Sequence, residues 1–442
     1  MRSSKSIFLA ALFLSPMQSQ ASLAQSSPRL SAADASDLIA ALNEAGQTRN
    51  AAESLRLLRE LAESGQLQDV PPYMTAAAIW VIRQELEAEF LGLSYTLATS
   101  DRFSSMDADA RAWFVAPALL HAARHGRDED AAERLLLHLT SPVTFISLLR
   151  DRDYAPLWPL IERHAGESLV NATSRYVEWA EQRLADQPDD AGRFSEVLRS
   201  LYYAGRFADV VAQAERWHGA HAEAAAADED VAWARNIEAY ALDALGRVEE
   251  ADRIFDRLSQ LSPNRHPWMG NFLINRASRL VGQQRWTEGL AGADQARRVT
   301  RNSGTVYAKI LIARDRTCAL YGLNRAKDAA QDLRYLRENF DHGRLEATTG
   351  LLCAGLEAEA HSKIAAAFAS GKSVFLDALL EPQFQLFYPP SRLPGVGEFI
   401  LSQSELREAA LKHVRLIPER FIPVSYHRRQ DRVSAHMPDG HS

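Results

Sequence analysis

The chain has 442 residues, of which 46% are hydrophobic and 24% charged, a balance too apolar for a disordered polypeptide and ordinary for a folded one. The formal net charge of −7 gives no global positive field to draw it to nucleic-acid phosphates, so no nucleic-acid partner is expected. With Cys318 and Cys353 as its only cysteines, it is not a disulfide scaffold.

Residues 1–24 read as an export signal. Arg2 and Lys5 form a basic start, Ile7 to Leu14 an apolar run too short to cross a bilayer, and Ser22-Leu23-Ala24 a small-residue cleavage site before Gln25. Ser19-Gln20-Ala21 is an alternative cut, and no cysteine follows the run to carry a lipid. The mature chain is expected in a periplasm or outside the cell. No later stretch is long and apolar enough for a transmembrane segment.

From Ser31 to Ser370 apolar residues recur at three and four positions, as in Leu55, Leu58 and Ala62 or Ile254, Leu258 and Leu261, which predicts an all-α chain. A turn residue followed five positions later by a small one repeats as Gly46/Ala51, Gly126/Ala131, Gly205/Val210, Gly246/Ala251, Gln284/Gly289 and Asn324/Ala329, with Gly166 on the same grid. Successive intervals are 80, 40, 39, 41, 38 and 40, which places one further turn, without its glycine, near Leu86. Four residues before the turns lie Leu42, Leu201, Leu242, Leu280 and Leu320, and nine after them Leu55, Leu135, Phe255 and Leu333. A helical hairpin explains the pattern: the turn residue goes left-handed, the small residue lets the second helix approach, and large apolar side chains fill the seam. About eight such units fit between Ser31 and Phe368.

From about Leu376 the pattern changes. Pro382, Pro389, Pro390, Pro394, Gly395 and Gly397 surround Phe384, Phe387 and Tyr388, so residues 371–426 are read as a proline and aromatic loop followed by a capping helix from Ser404 to about Arg415. Residues 427–442 are polar and read as a disordered tail. The spacing of 35 between Cys318 and Cys353 departs from the pitch near 40. It offsets them by about 7 Å along neighbouring helices, which argues against a bridge.

The unit from Ala232 to Arg265, with Ala239, Leu242, Gly246, Ala251, Phe255 and Pro263 as its small, large, Gly, small, aromatic and Pro positions, resembles the tetratricopeptide repeat family. Units near Gly270 and Ile310 follow with Ala277, Leu280 and Trp286, then Leu320, Ala329 and Leu336. The pitch is nearer 40 than the family's 34, and Gly289 and Val210 replace the packing Ala, so longer helices or another helical-pair repeat also fit. The resemblance implies a right-handed superhelical solenoid of antiparallel helix pairs with a C-terminal cap. It also implies a concave groove lined by first-helix positions, here Trp233, Asn236, Tyr240, Asp243, Asn271, Ser278, Arg314 and Tyr321. Amides, a guanidinium and rings suit an extended peptide, so a protein or peptide partner is expected.

Between Arg265 and Arg344 the chain carries 15 Lys and Arg against 7 Asp and Glu, which favours an acidic ligand there. His121 and His125 have metal-ligand spacing, with Asp128, Glu129 and Asp130 behind them, but they lack a protease glutamate and end a helix whose dipole already favours His. Ser370-Gly371-Lys372-Ser373 copies the end of a phosphate loop, but Ala366 replaces its first glycine and a helix precedes it. No nucleophile elbow, HExxH or paired CxxC is present, so no catalytic residue, metal or cofactor is assigned. The expectation is an exported interaction scaffold or adaptor. The alternative is a helical-repeat enzyme or carbohydrate-binding protein acting on a cell-envelope polymer, which would need two facing carboxylates about 5 to 10 Å apart.

Overall fold

The structure, a computed structural model, describes residues 31–100, 108–126, 129–221, 228–263, 265–370 and 391–422, together with Phe103, Met106, Phe375, Ala378 and Leu379. The expected export signal, Asp128, residues 371–373, the ring-bearing part of the proline segment and the tail lie outside these. The described residues are helical throughout, with no β-strand among them. No helix among them is long and apolar enough to cross a membrane. Two compact units meet at Gly166 and Glu167, and each is described by itself.

The first unit holds α1 (Ala32–Gln47), α2 (Ala51–Glu63), α3 (Pro72–Glu85), α4 (Glu87–Ala98), α5 (Ala108–His125), α6 (Glu129–Leu137), α7 (Pro142–Arg150) and α8 (Trp158–Ala165). Ser31, where the pattern begins, caps α1 by accepting from the Asp34 amide, and Asn50 caps α2 in the same way. The expected turn at Leu86 separates α3 from α4 without a left-handed residue, because Leu86 itself leaves the helical region (φ −131°, ψ 42°) and breaks the helix. Gly46 is not a turn: it lies inside α1, and the left-handed residue is Arg49 (φ 56°). The helix runs on because Asn50, not Gly46, supplies the cap that starts α2.

The second unit holds α9 (Val170–Asp186), α10 (Ala191–Tyr203), α11 (Phe207–Ala220), α12 (Glu229–Ala244), α13 (Val248–Leu258), α14 (Met269–Gly282), α15 (Trp286–Val299), α16 (Val306–Gly322), α17 (Ala330–Glu338), α18 (Arg344–Cys353), α19 (Glu357–Ala369), α20 (Val396–Ser402) and α21 (Ser404–Leu411). Five hairpins pair α10 with α11, α12 with α13, α14 with α15, α16 with α17, and α18 with α19, and each helix packs on the next in sequence. First helices also pack side by side: α10 on α12, α14 on α16, and α16 on α18. The backbones of α12 and α14 are joined through side chains instead, including Trp233 against Phe272.

The turns carry the expected left-handed residues: Gly126, Gly166, Gly205, Gly246, Gln284 and Asn324 all have positive φ, and Gly355 adds another. Five share one further bond. The amide after the left-handed residue donates to the carbonyl four residues before it, as in Arg206 to Leu201, Arg247 to Leu242, Arg285 to Leu280, Arg325 to Leu320 and Leu356 to Leu351 (2.8–3.0 Å). Those leucines are nearly all sealed from water. At Gly289 a Cβ would stand 2.5 Å from Val281 Cγ2, so the small residue of that hairpin is required by close helix approach.

Cys318 and Cys353 are bridged, contrary to the expectation from their spacing, with Cα atoms 5.1 Å apart. That expectation assumed a pitch near 40, whereas Asn324 and Gly355, the left-handed residues of the last two hairpins, are only 31 residues apart. The short α18 sets its last turn beside Cys318 of α16. Beyond α19, α20 packs on α18 and α21 on α19, and Val396, Ile400, Leu406 and Ala410 close an apolar cluster with Leu351, Leu352, Ala360 and Ile364.

Candidate functional site

The residues singled out on the first helices occupy three different situations. Asn236 is fully buried on α12, and its Oδ1 accepts from Asn275 Nδ2 of α14 at 3.1 Å. Tyr240 is also buried, its ring 6.1 Å from that of Phe255 on α13. Asp243 takes two bonds from Arg279 of α14 and is 3% exposed. These three are interior. Trp233, Asn271 and Tyr321 are half-buried: Trp233 lies 4.8 Å from Phe272, and Tyr321 leans on the apolar cluster beneath α18 to α20.

Ser278 and Arg314 come together. Ser278 Oγ donates to Asp315 Oδ2 at 2.6 Å and accepts from Arg314 Nη2 at 2.9 Å, while Arg314 Nε donates to Asp315 Oδ1 at 2.8 Å. Burial pushes the Asp315 carboxyl up, against the pull of Arg314. Desolvation also opposes charge on Arg314, but Asp315 and Glu346 more than offset it, and the guanidinium stays ionised. One helix further, Tyr307 of α16 donates to Glu346 of α18 at 2.6 Å. A polar seam thus crosses four successive first helices, with amides, a guanidinium, hydroxyls and carboxylates as its hydrogen-bonding groups.

The basic block is largely spent inside the fold. Of its fifteen cations, Arg276, Arg279, Arg285, Arg297, Arg314, Arg316, Arg325, Arg337 and Arg344 form ion pairs. That leaves Arg265, Arg298, Arg301, Lys327 and Arg334 as exposed cations and Lys309 as a half-buried one, with no ion pair of this kind among the described residues.

His121 and His125 stack with ring centroids 4.2 Å apart, and His125 Nδ1 bonds the His121 carbonyl at 2.9 Å. No cluster of three His, Cys, Asp or Glu side chains among the described residues is placed to hold a metal ion. Ser370 caps the end of α19, its hydroxyl donating to the Ala367 carbonyl at 2.9 Å.

One regularity escaped the motif reading although the sequence carries it. An Arg follows the left-handed residue in four successive hairpins and pairs with an acid three positions on: Arg206 with Asp209, Arg247 with Glu250, Arg285 with Glu288, and Arg325 with Asp328. The acid sits in the first turn of the second helix or of the short helical turn before it, where the helix dipole favours it. In the fifth hairpin the Arg position is Leu356, and the acid, Glu359, pairs with Arg337 of α17 instead.

No family model, no curated protein and no solved structure matches the chain.

Proposed function

We propose that the helical hairpins form a tetratricopeptide-like, right-handed superhelical solenoid that works as an interaction scaffold of the cell envelope, exported by cleavage near Ala24. Its first-helix face holds a protein or an extended peptide. The observation that carries this reading is the repetition of one hairpin, with the same left-handed turn and buried leucine at each repeat, which aligns first helices and runs a polar seam across them. Such a seam offers amide and guanidinium groups to a peptide backbone and its carboxylates.

The working surface is narrower than the family pattern implies. Asn236, Tyr240 and Asp243 act inside the fold, where they fix the spacing of α12 from α13 and α14. Trp233, Asn271, Ser278, Arg314 and Tyr321 remain for a ligand. The unpaired Arg298, Arg301 and Arg334 supply the preference for an acidic partner.

The test is affinity capture from an envelope extract using the full chain, beside Asn271→Arg and Arg298→Glu/Arg301→Glu variants. The reading expects a protein retained by the wild type and lost at least tenfold from Asn271→Arg. Equal retention by all three chains would sink the first-helix assignment.

A further inference from the structure

Residues 391–394 return to the middle of the second unit after the chain has left α19. The Arg392 amide donates to the Gly282 carbonyl at 2.8 Å, at the last residue of α14. That carbonyl is one of the orphan acceptors every helix leaves at its C-terminal end. Ser391 lies over Gly282, where a Cβ would meet Ser391 Oγ at 3.2 Å, so the missing side chain is what admits the segment. Ser391 Oγ accepts from the Leu393 amide at 3.2 Å, and Leu393 packs against Val281, Cys318 and Ala319 beside Trp286 and Leu290.

The neighbouring hairpin shows what the slot is for. Gly322 stands in α16 where Gly282 stands in α14, two residues before the left-handed turn, and a Cβ there would fall 2.5 Å from the Trp286 ring. Each glycine therefore makes a recess that another group fills. Trp286 follows the turn arginine Arg285, whereas the residue in that place one hairpin earlier is Val248, which has no ring to lay over Gly282. A short non-helical segment, bent at Leu393, fills the recess instead.

We propose that the recess at Gly282 is a docking site for a short non-helical peptide and that residues 391–394 occupy it in cis as a strap. The partner it fits is a non-helical segment of another protein with a small residue over Gly282, a free amide one position later to bond its carbonyl, and a leucine one position beyond that. This surface lies at the ends of the first helices and is distinct from the polar seam on their faces. Occupancy in cis lowers the apparent affinity for the partner by the fraction of time the strap is seated, so release of the strap raises it.

The probe is the labelled peptide Ser-Arg-Leu-Pro-Gly-Val-Gly, the sequence of residues 391–397, titrated by fluorescence anisotropy against the full chain. Leu393→Asp unseats the strap, and amide exchange at Arg392 reports that it has. The proposal expects the peptide to bind Leu393→Asp at least tenfold tighter than wild type, and to lose that gain when Gly282→Val fills the recess. If Leu393→Asp fails to fold, Arg392→Pro, which removes the donor amide together with the Arg392 side chain, is measured beside Arg392→Ala, which removes the side chain alone. An unseated strap with no gain in peptide binding, or a gain that survives Gly282→Val, would overturn the proposal and leave residues 391–394 as a fixed part of the fold.

Discussion

Arg279 on α14 donates through Nε and Nη2 to the two carboxylate oxygens of Asp243 on α12 at 2.5 and 2.6 Å, and the two side chains are 0% and 3% exposed. Nη1 of the same guanidinium reaches Asp252 of α13 at 2.5 Å, so one side chain ties three helices of two hairpins together. A charge this far from water persists only because every face of it is bonded. Burial pushes the Asp243 carboxyl up, and Arg279 is its chief counterweight.

Arg279→Met should therefore cost about 3–5 kcal/mol in denaturant unfolding, since it strands Asp243 in the interior. Arg279→Met with Asp243→Asn should recover a large part of that loss. A double variant as unstable as the single one would show that Arg279 acts through packing rather than through its pair.

Close approach of α15 to α14 is set by Gly289. A Cβ there meets Val281 Cγ2 at 2.5 Å and the Val281 backbone nitrogen at 3.1 Å, and a valine in a helix has little rotamer freedom to give way. Overpacking of about 1–3 kcal/mol opposes the gain of about 1 kcal/mol that alanine brings to a helix. Gly289→Ala is expected to destabilise the wild type and to stabilise a Val281→Ala background. Thermal unfolding of the four chains reads the sign, and a stabilised single variant would refute the packing account.

The Cys318–Cys353 bridge closes a loop of 35 residues. By the chain-entropy relation such a loop contributes about 3–4 kcal/mol by restricting the unfolded chain. Reductant, or Cys318→Ser with Cys353→Ser, should lower the unfolding free energy by that order. An unchanged denaturant midpoint in both cases would contradict it.

His218 on α11 is 7% exposed, with the ring of Phe194 edge-on, Glu238 and Arg235 of α12 beside it, and its Nε2 3.7 Å from a Glu238 oxygen. Burial first, then the fields of Arg235, Arg257 and His221, push its imidazole down to about 3, while burial pushes the Glu238 carboxyl up. The imidazole is thus neutral when folded, and the unfolded chain protonates it near an ordinary value of about 6.5. Its contribution is fully present above about 6.5 and is lost as pH falls from there towards about 3, at up to about 1.4 kcal/mol per pH unit. Unfolding free energies of wild type and His218→Gln between pH 7 and pH 4 should diverge with that slope. Parallel pH profiles would show that His218 does not titrate on unfolding.

The hairpin turns are legible from the sequence because a left-handed backbone is a local requirement: Gly126, Gly205, Gly246 and Asn324 announce it through their own chemistry. Gln284 is recognisable only by its place on the grid. Gly46 misleads, since a glycine can stand in a helix and the turn there is carried by Arg49. The pairing of Arg279 with Asp243, and the bridge of Cys318 with Cys353, depend on how hairpins register against each other, which no local pattern encodes. The groove positions transferred from the repeat pattern fall on a helix buried on most of its sides, so Asn236 and Tyr240 point inward rather than to a ligand. By contrast the Arg and acid flanking each turn are written plainly, at Arg206 and Asp209 or Arg247 and Glu250, and mark the repeat independently of any family.

The most direct test of partner binding on the first-helix face is site-specific photo-crosslinking, with a benzophenone amino acid placed at Asn271 or Tyr321 on first helices, or at the exposed Thr287 on a second helix. In cells expressing the full chain, the account predicts a discrete crosslinked adduct from positions 271 and 321 and none from 287. An adduct from 287 alone, or equal labelling at all three positions, would contradict it.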